Sequence, residues 1–145
     1  MRAATPCRDS LYVGCSRPGG AGAPPILFVH GNPTWSFYFR RVVSALSNDH
    51  RVIAPDHVGM GLSDKPGDDA YAYTLEARVD DFGRFVDALG IDGKLTLVVH
   101  DWGGMIGFAW AVKNAARVEK LVVLNTAAFP LPADKPFPWQ LALTR

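Results

Sequence analysis

Residues 95–104 read LTLVVHDWGG, and this stretch decides the fold. Its first half, Leu95–Val99, is a continuous apolar run, which is typical of a strand buried on both faces of a parallel sheet. A polar turn with two glycines follows at once, and the apolar spacing over Gly103–Asn114 predicts a deeply buried helix directly after it. This strand, sharp turn and helix would present Asp101 beyond the carboxyl end of the sheet.

Three further apolar runs predict three more strands. They are Ile26–Val29, Val52–Ala54 and Leu121–Leu124. Leu11–Cys15 is a candidate for an additional edge strand. Because helical patterns separate the buried runs, strands and helices alternate along the chain, and right-handed crossovers of this kind build an α/β fold. We therefore expect a mostly parallel sheet with helices on both faces.

Apolar spacing indicates two further helices. The first covers roughly Trp35–Leu46. The second has an apolar stripe that runs from Leu75 to Leu89. Thr74 is its expected N-cap, and Gly90 is the residue expected to end it.

The composition excludes several classes of partner. The chain has 145 residues, 48% of them hydrophobic, and 15 Lys and Arg against 14 Asp and Glu give a net charge of +1. This balance offers no electrostatic case for binding nucleic acid or an anionic membrane. No apolar run approaches the ~18 residues of a membrane-spanning helix, and residues 1–10 lack the apolar core of a secretory signal. Because the cysteines are only Cys7 and Cys15, we expect a cytoplasmic, reduced protein without a structural metal.

Asp101 is the first candidate for catalysis. Gly103 allows close backbone packing behind it, and the N-terminus of the following helix would favour the ionised carboxylate. An ionised, partly desolvated carboxylate on a rigid turn is a workable nucleophile. The alternative is that Asp101 only caps the helix, because aspartate is a common N-cap.

A second motif, HGNP at residues 30–33, follows the first buried strand and precedes a helix. Gly31 permits an unusual backbone conformation, and Pro33 stiffens the turn. The backbone N–H and the side-chain amide of Asn32 would lie at the same sheet edge as Asp101. An ordinary strand-to-helix turn is the alternative.

Together, HGNPTW at residues 30–35 and VVHDWGG at residues 98–104 resemble the haloalkane dehalogenase branch of the α/β-hydrolase fold. Residues 59–66, GMGLSDKP, are similar to a loop of the same branch. The resemblance covers roughly Leu11 to Arg145, which is almost the whole chain.

This resemblance implies a mechanism. Asp101 would attack an sp³ carbon and form an alkyl-enzyme ester, while the indole N–H of Trp102 and the side-chain amide of Asn32 hold the departing halide. A histidine-activated water would then hydrolyse the ester, with backbone N–H groups holding the oxyanion. The family uses small apolar substrates and requires no cofactor and no metal.

Two related families carry similar motifs. The β-lactone decarboxylases of bacterial long-chain olefin synthesis share the aspartate elbow and the asparagine loop, and Leu124–Pro130 resembles them at least as much. Epoxide hydrolases share the DWGG elbow but usually lack an asparagine at the position of Asn32. A dinucleotide-binding half is a weak alternative, because Trp102 stands at the first glycine of the GxGxxG pattern.

The catalytic base is missing from the pattern. The family places it on a histidine late in the chain, whereas His30, His50, His57 and His100 all precede Asp101. We expect His30 and His100 to satisfy local backbone groups and His50 to be solvated. Only His57, at the start of a long loop, is kept as a remote candidate for the base.

The orienting acid is also missing. The position after the last predicted strand holds Asn125, and Asp134 is expected to be a solvated loop charge. We therefore expect the N-terminal portion of an enzyme, with residues 1–128 in the hydrolase core, truncated before the cap and last strands, and residues 129–145 at the start of the cap. An inactive remnant that associates with another subunit is the alternative. Because its sheet would have an open edge, we expect this chain on its own to be marginally stable, oligomeric or aggregation-prone. The sequence does not predict how many subunits an oligomer would contain.

Overall fold

The computed structural model describes residues 13–17 and 23–126, with the backbone alone for residues 13–17. The described strands are β1 (Val13–Arg17), β2 (Ile26–Val29), β3 (Val52–Asp56), β4 (Leu95–His100) and β5 (Val118–Leu124). The described α-helices are α1 (Arg40–Leu46), α2 (Leu75–Ala88) and α3 (Trp102–Lys113), and short 3₁₀ helices cover Ser36–Phe39 and Ala115–Arg117. Strands and helices alternate along the chain as predicted.

The strands form one sheet in the order β1-β3-β2-β4-β5. The four strands from β2 to β5 are parallel, and β1 is antiparallel to β3 at one edge. The expected edge strand is therefore present: β1 covers Val13–Arg17, whereas the prediction was Leu11–Cys15, of which residues 11 and 12 lie outside the described residues. The mostly parallel α/β sheet that the alternation predicts is confirmed.

Helices pack on both faces of the sheet, as predicted. Successive side chains of a strand point to opposite faces, so Leu27 and Val29 belong to one core and Ile26 and Phe28 to the other. The helices α2 and α3 cover the first core, which includes Phe82, Phe85, Ile106 and Trp110. The 3₁₀ helix and α1 cover the second core, through Phe39 and Val43. All four β2 residues are consequently buried.

Helix α2 begins and ends where its local signals predict. The Thr74 side chain accepts a hydrogen bond from the Ala77 N–H at 3.2 Å, as an N-cap does. Gly90 follows the last turn with a φ of 58°, a left-handed conformation that glycine adopts without steric cost. Both ends of this helix are therefore set by residues next to them in sequence.

The helix predicted over Trp35–Leu46 is divided in two. Ser36–Phe39 is a 3₁₀ helix, and α-helical geometry begins only at Arg40. The Ser36 N–H, at the start of this segment, donates to the Asp56 carboxylate at 2.7 Å. This long-range bond from β3 holds the first turn, which the local spacing could not reveal.

Burial at the carboxyl-terminal end of the described chain is lower than predicted. The run Leu121–Leu124 lies within β5, but its side chains are 40–50% exposed rather than buried on both faces. Within residues 23–126, β5 pairs with β4 alone, so one side of the strand has no neighbour. Helix α3 is also only partly buried, because Val112, on the side away from the sheet, is 81% exposed.

Two further predictions lie partly or wholly outside the described residues. The proposed cap segment 129–145 and Asp134 fall beyond residue 126, where the description ends.

Among the described helices, none is both long and apolar enough to cross a membrane.

Candidate active site

Asp101 occupies a sharp turn between β4 and α3. Its backbone has φ 52° and ψ −130°, a strained conformation for a residue with a side chain. Such strain persists only where the surrounding packing imposes it. Here the absence of a side chain at Gly103 lets the start of α3 pack directly against the neighbouring strand. A Cβ atom at Gly103 would collide with the carbonyl groups of Val29 and His30 at the end of β2. The predicted elbow is therefore present, and α3 begins in direct contact with the neighbouring strand.

The Asp101 carboxylate is directed to the HGNP loop rather than to its own helix. Asp101 stands immediately before α3, but its side chain makes no capping hydrogen bond to that helix. Instead, its Oδ1 accepts a hydrogen bond of 2.8 Å from the Asn32 N–H. The two motifs therefore meet at one sheet edge, and the interpretation of Asp101 as a simple helix cap does not account for its geometry.

Two further contacts fix this meeting point. A Cβ atom at Gly31 would collide with the Cβ and Oδ1 atoms of Asp101, so the absence of a side chain lets the loop approach the carboxylate. The Thr126 hydroxyl, just after β5, donates to the Asp101 carbonyl oxygen. Asp101 is thus held by the ends of β2, β4 and β5.

A cavity of about 970 Å³ opens beside this point. Asn32 and Trp102 both line it, and the Trp102 side chain is 37% exposed. Asp101 is adjacent to both residues without lining the cavity itself. Most other lining side chains are apolar or aromatic, and the charged ones are Asp68 and Arg78. The apolar and aromatic members are Pro33, Trp35, Met60, Pro66, Tyr73, Leu75, Met105 and Ile106.

His57 lines this cavity but is engaged by His30. The His57 N–H donates to His30 Nε2 at 3.0 Å, and His57 Nε2 lies 3.0 Å from the His30 carbonyl oxygen, to which it donates. Burial lowers the pKa of His30 and, together with the His30 ring, holds the pKa of His57 well below its usual range. His57 Nε2 is engaged by a carbonyl, its Nδ1 atom is buried, and the low pKa makes the ring a weak base, so His57 is poorly suited to activate water.

The remaining histidines are also placed away from base catalysis. His100 Nε2 lies 3.3 Å from the Tyr38 hydroxyl, and the two rings stack with centroids 4.5 Å apart. His50, which was expected to be solvated, is half-buried with its Nδ1 atom buried, and its backbone N–H donates to the Leu46 carbonyl after α1. His30 bonds the adjacent Gly31 carbonyl, as predicted, whereas the contact of His100 is with a distant side chain rather than with a local backbone group.

Asp56 is a residue that sequence reasoning missed. It is buried, and its two carboxylate oxygens accept from the N–H groups of Ser36 and Leu62, at 2.7 and 2.9 Å. It thus ties together two segments that carry cavity-lining neighbours. Its place at the end of a buried strand, before a glycine-rich loop, was the available signal.

Among residues 13–17 and 23–126, no group of three or more His, Cys, Asp or Glu residues could hold a metal ion.

Comparison with known proteins identifies relatives of the chain. Residues 24–144 match the family model described as the alpha/beta hydrolase fold. The chain is 55% identical to a cis-3-alkyl-4-alkyloxetan-2-one decarboxylase from Xanthomonas campestris, over 88% of its length and 44% of the relative's. It is 48% identical to haloalkane dehalogenase 2 from Mycobacterium bovis, over 74% of its length and 36% of the relative's.

A solved structure shows the same fold. The inhibitor complex of an epoxide hydrolase from Bacillus megaterium superposes with a TM-score of 0.70 and 34% sequence identity. The match covers 81% of this chain and 39% of that one. In each of these comparisons the chain spans less than half the length of the protein it matches.

Proposed function

The chain belongs to the alpha/beta hydrolase fold family, and from this premise we propose that it carries the nucleophile of an enzyme that opens a carbon–heteroatom bond in a small apolar substrate. Asp101 is the proposed nucleophile. The observation that carries the proposal is the 2.8 Å hydrogen bond from the Asn32 N–H to Asp101 Oδ1, at a strained elbow beside the cavity.

The first step follows from this geometry. The Asn32 N–H holds Oδ1, so the other carboxylate oxygen is the one that attacks an sp³ carbon of the substrate. A bond forms between that oxygen and the carbon, and the carbon–heteroatom bond breaks with its electron pair going to the leaving group. Asn32 and Trp102 are the proposed donors that stabilise the leaving group, because both line the cavity. The product of this step is an alkyl ester of Asp101.

The fate of the ester separates two chemistries. After attack on an alkyl halide, water must hydrolyse the ester, and this requires a base. After attack on a β-lactone at its sp³ ring carbon, the ring opens to a carboxylate. Loss of carbon dioxide then moves the electrons of the carbon–carbon bond into an alkene and expels Asp101 as a carboxylate. This second route regenerates Asp101 without water.

We favour decarboxylation of a β-lactone. Identity is higher to the decarboxylase than to the dehalogenase, 55% against 48%, and extends over more of the chain. Carbon–halogen cleavage is the second candidate, because Asn32 and Trp102 are neutral donors that suit a halide.

The test uses the 145-residue chain and its Asp101→Asn variant. Each is incubated with a 1-bromoalkane and, separately, with a cis-dialkyl β-lactone. We expect the bromoalkane to give one covalent adduct per chain at Asp101, seen by intact-mass and peptide analysis, and none in the variant. We expect the β-lactone to give alkene in multiple turnovers. An unmodified chain in the first reaction and no alkene in the second would refute the nucleophile and support an inactive remnant.

A further inference from the structure

His57 lines the cavity, His30 is buried next to His57, and the proposed reaction uses neither. Main-chain pairing between β2 and β3 covers Ile26–Val52 and Leu27–Ile53, before either histidine. Beyond it, the two histidines connect the strand ends through the reciprocal bonds described above, with ring centroids 4.3 Å apart. At the carboxyl ends of β2 and β3, where the site lies, the bonds of these two histidines therefore take the place of main-chain hydrogen bonds between the strands.

The hydrogen bonds fix the tautomer of each ring. His30 Nε2 accepts from the His57 N–H, so the proton of a neutral His30 ring is on Nδ1, which lies 2.9 Å from the Gly31 carbonyl oxygen and donates to it. His57 carries its proton on Nε2 and donates to the His30 carbonyl. Burial disfavours the charged form of both rings, which lowers their pKa values. Asp56 opposes this shift at His30, whereas Arg78 adds to it at both rings.

The Gly31 carbonyl and the Asn32 N–H belong to the same peptide group. That group is planar, so its oxygen and its N–H point in opposite directions. The Gly31 oxygen accepts from His30 Nδ1 and from the N–H and hydroxyl of Thr34, at 2.9, 3.1 and 2.9 Å. At the other end, the Asn32 N–H donates to Asp101 Oδ1. The His30 ring, together with Thr34, therefore contributes to the orientation of the donor that holds the carboxylate.

We propose that His30, held in place by His57, is a positioning residue that aims the Gly31–Asn32 peptide at Asp101. This inference rests on the proposed function. His30 touches neither the substrate nor the attacking oxygen. It acts through the peptide, and donation to the carbonyl also polarises the N–H at the opposite end and makes it a stronger donor.

Two substitutions separate the two hydrogen bonds of His30. In His30→Asn, the side-chain amide places a donor near the position of Nδ1, so it preserves the bond to Gly31 and loses the bond to His57. In His30→Gln, the amide oxygen replaces Nε2 as the acceptor, so it preserves the bond to His57 and loses the bond to Gly31. We expect the saturating rate of Asp101 alkylation by a 1-bromoalkane to fall about tenfold or more in His30→Gln and by less than about threefold in His30→Asn.

The control for stability is Val86→Ala. Val86 lies on α2 and is fully buried, so this substitution creates a void in the hydrophobic core that α2 covers. Thermal unfolding is measured for all variants, and we expect this control to lose stability without slowing alkylation of the folded chain. The proposal is overturned if both His30 variants are slowed equally, or if rates follow stability across the three variants.

A second measurement keeps this inference distinct from the proposed function. Hydrogen exchange of the Asn32 amide is followed by NMR in the chain without substrate. If no adduct forms in the unsubstituted chain, the proposed function fails, and exchange alone decides the positioning role. Faster Asn32 exchange in His30→Gln than in His30→Asn supports the aimed peptide, and equal exchange in the two variants overturns it.

Discussion

Asp101 combines a strained backbone with a carboxylate that a neighbouring loop holds. A residue at φ 52° is unfavourable by about 1–3 kcal/mol, so the turn depends on contacts that over-determine it. Those contacts are close backbone approaches at Gly103 and Gly31, together with the Asn32 N–H. The site is therefore most sensitive where a single added atom would separate the loop from the elbow.

Replacement of Gly31 by alanine is the direct test of that approach. The new Cβ would overlap the Asp101 side chain, so the loop must move and the Asn32 N–H must lose its bond to Oδ1. We expect a loss of about 1–3 kcal/mol in the free energy of unfolding, measured in urea, together with loss of Asp101 alkylation.

Gly93→Ala is the matched control for this substitution. A Cβ at Gly93 meets nothing within 4 Å, so we expect a change in stability of less than about 1 kcal/mol and unchanged alkylation. A stable and reactive Gly31→Ala variant would show that the loop does not need its close contact with Asp101.

At the scale of single elements, predictions succeeded where the signal is local. Thr74 and Gly90 bound α2 as their residue types indicate, and the apolar run at Leu95–Val99 became a central strand. The split of the first helix at Arg40 was not predicted, and the bond that the Asp56 carboxylate makes to the start of this segment comes from a distant strand that local spacing does not reveal.

For the candidate site too, some features could be predicted from sequence motifs and others could not. The meeting of Asp101 and Asn32 follows from motifs at the ends of neighbouring parallel strands, and it was predicted. The link between His30 and His57 was not, since each ring's partner is 27 residues away and no spacing rule connects them. Sequence patterns indicated which elements meet, but not which buried polar groups join them.

The His30–His57 connection between β2 and β3 predicts a loss of stability in acid. In the unfolded chain both rings titrate near the ordinary value of 6.5, whereas their pKa values in the folded chain are lower. Below pH 6.5 the unfolded state therefore binds protons that the folded state excludes. The free energy of unfolding should fall by up to about 1.4 kcal/mol per pH unit for each ring until the folded pKa is reached.

The measurement is urea unfolding between pH 8 and pH 5. We expect a flat profile above pH 7 and a decline below pH 6.5, with a shallower decline in His57→Asn, which retains one of the two rings. His50→Gln serves as the control, because His50 follows α1 and lies outside the pair. An identical acid slope in His57→Asn and the unsubstituted chain would contradict the assignment.

At the scale of the whole molecule, the sheet is asymmetric. One edge carries the antiparallel strand β1, and at the other edge β5 presents partly exposed Leu121, Val122, Val123 and Leu124. A strand with an unpaired side and apolar faces is a template for pairing with another chain. Because it combines an unpaired strand side with exposed apolar residues in the part of the chain that the structure describes, this edge favours self-association.

We therefore expect the 145-residue chain to associate as its concentration rises and to bind a hydrophobic dye. Val122→Lys and Val123→Lys place a charge on opposite faces of β5, and a charged side chain on an edge strand opposes intermolecular pairing. Both variants should shift the sedimentation profile toward monomer and reduce dye fluorescence.

The control is Arg84→Lys, on the exposed face of α2, which preserves charge and should leave the sedimentation profile and the dye fluorescence unchanged. A monomer with a steep thermal transition and no dye binding would show that the β5 surface is not an association site.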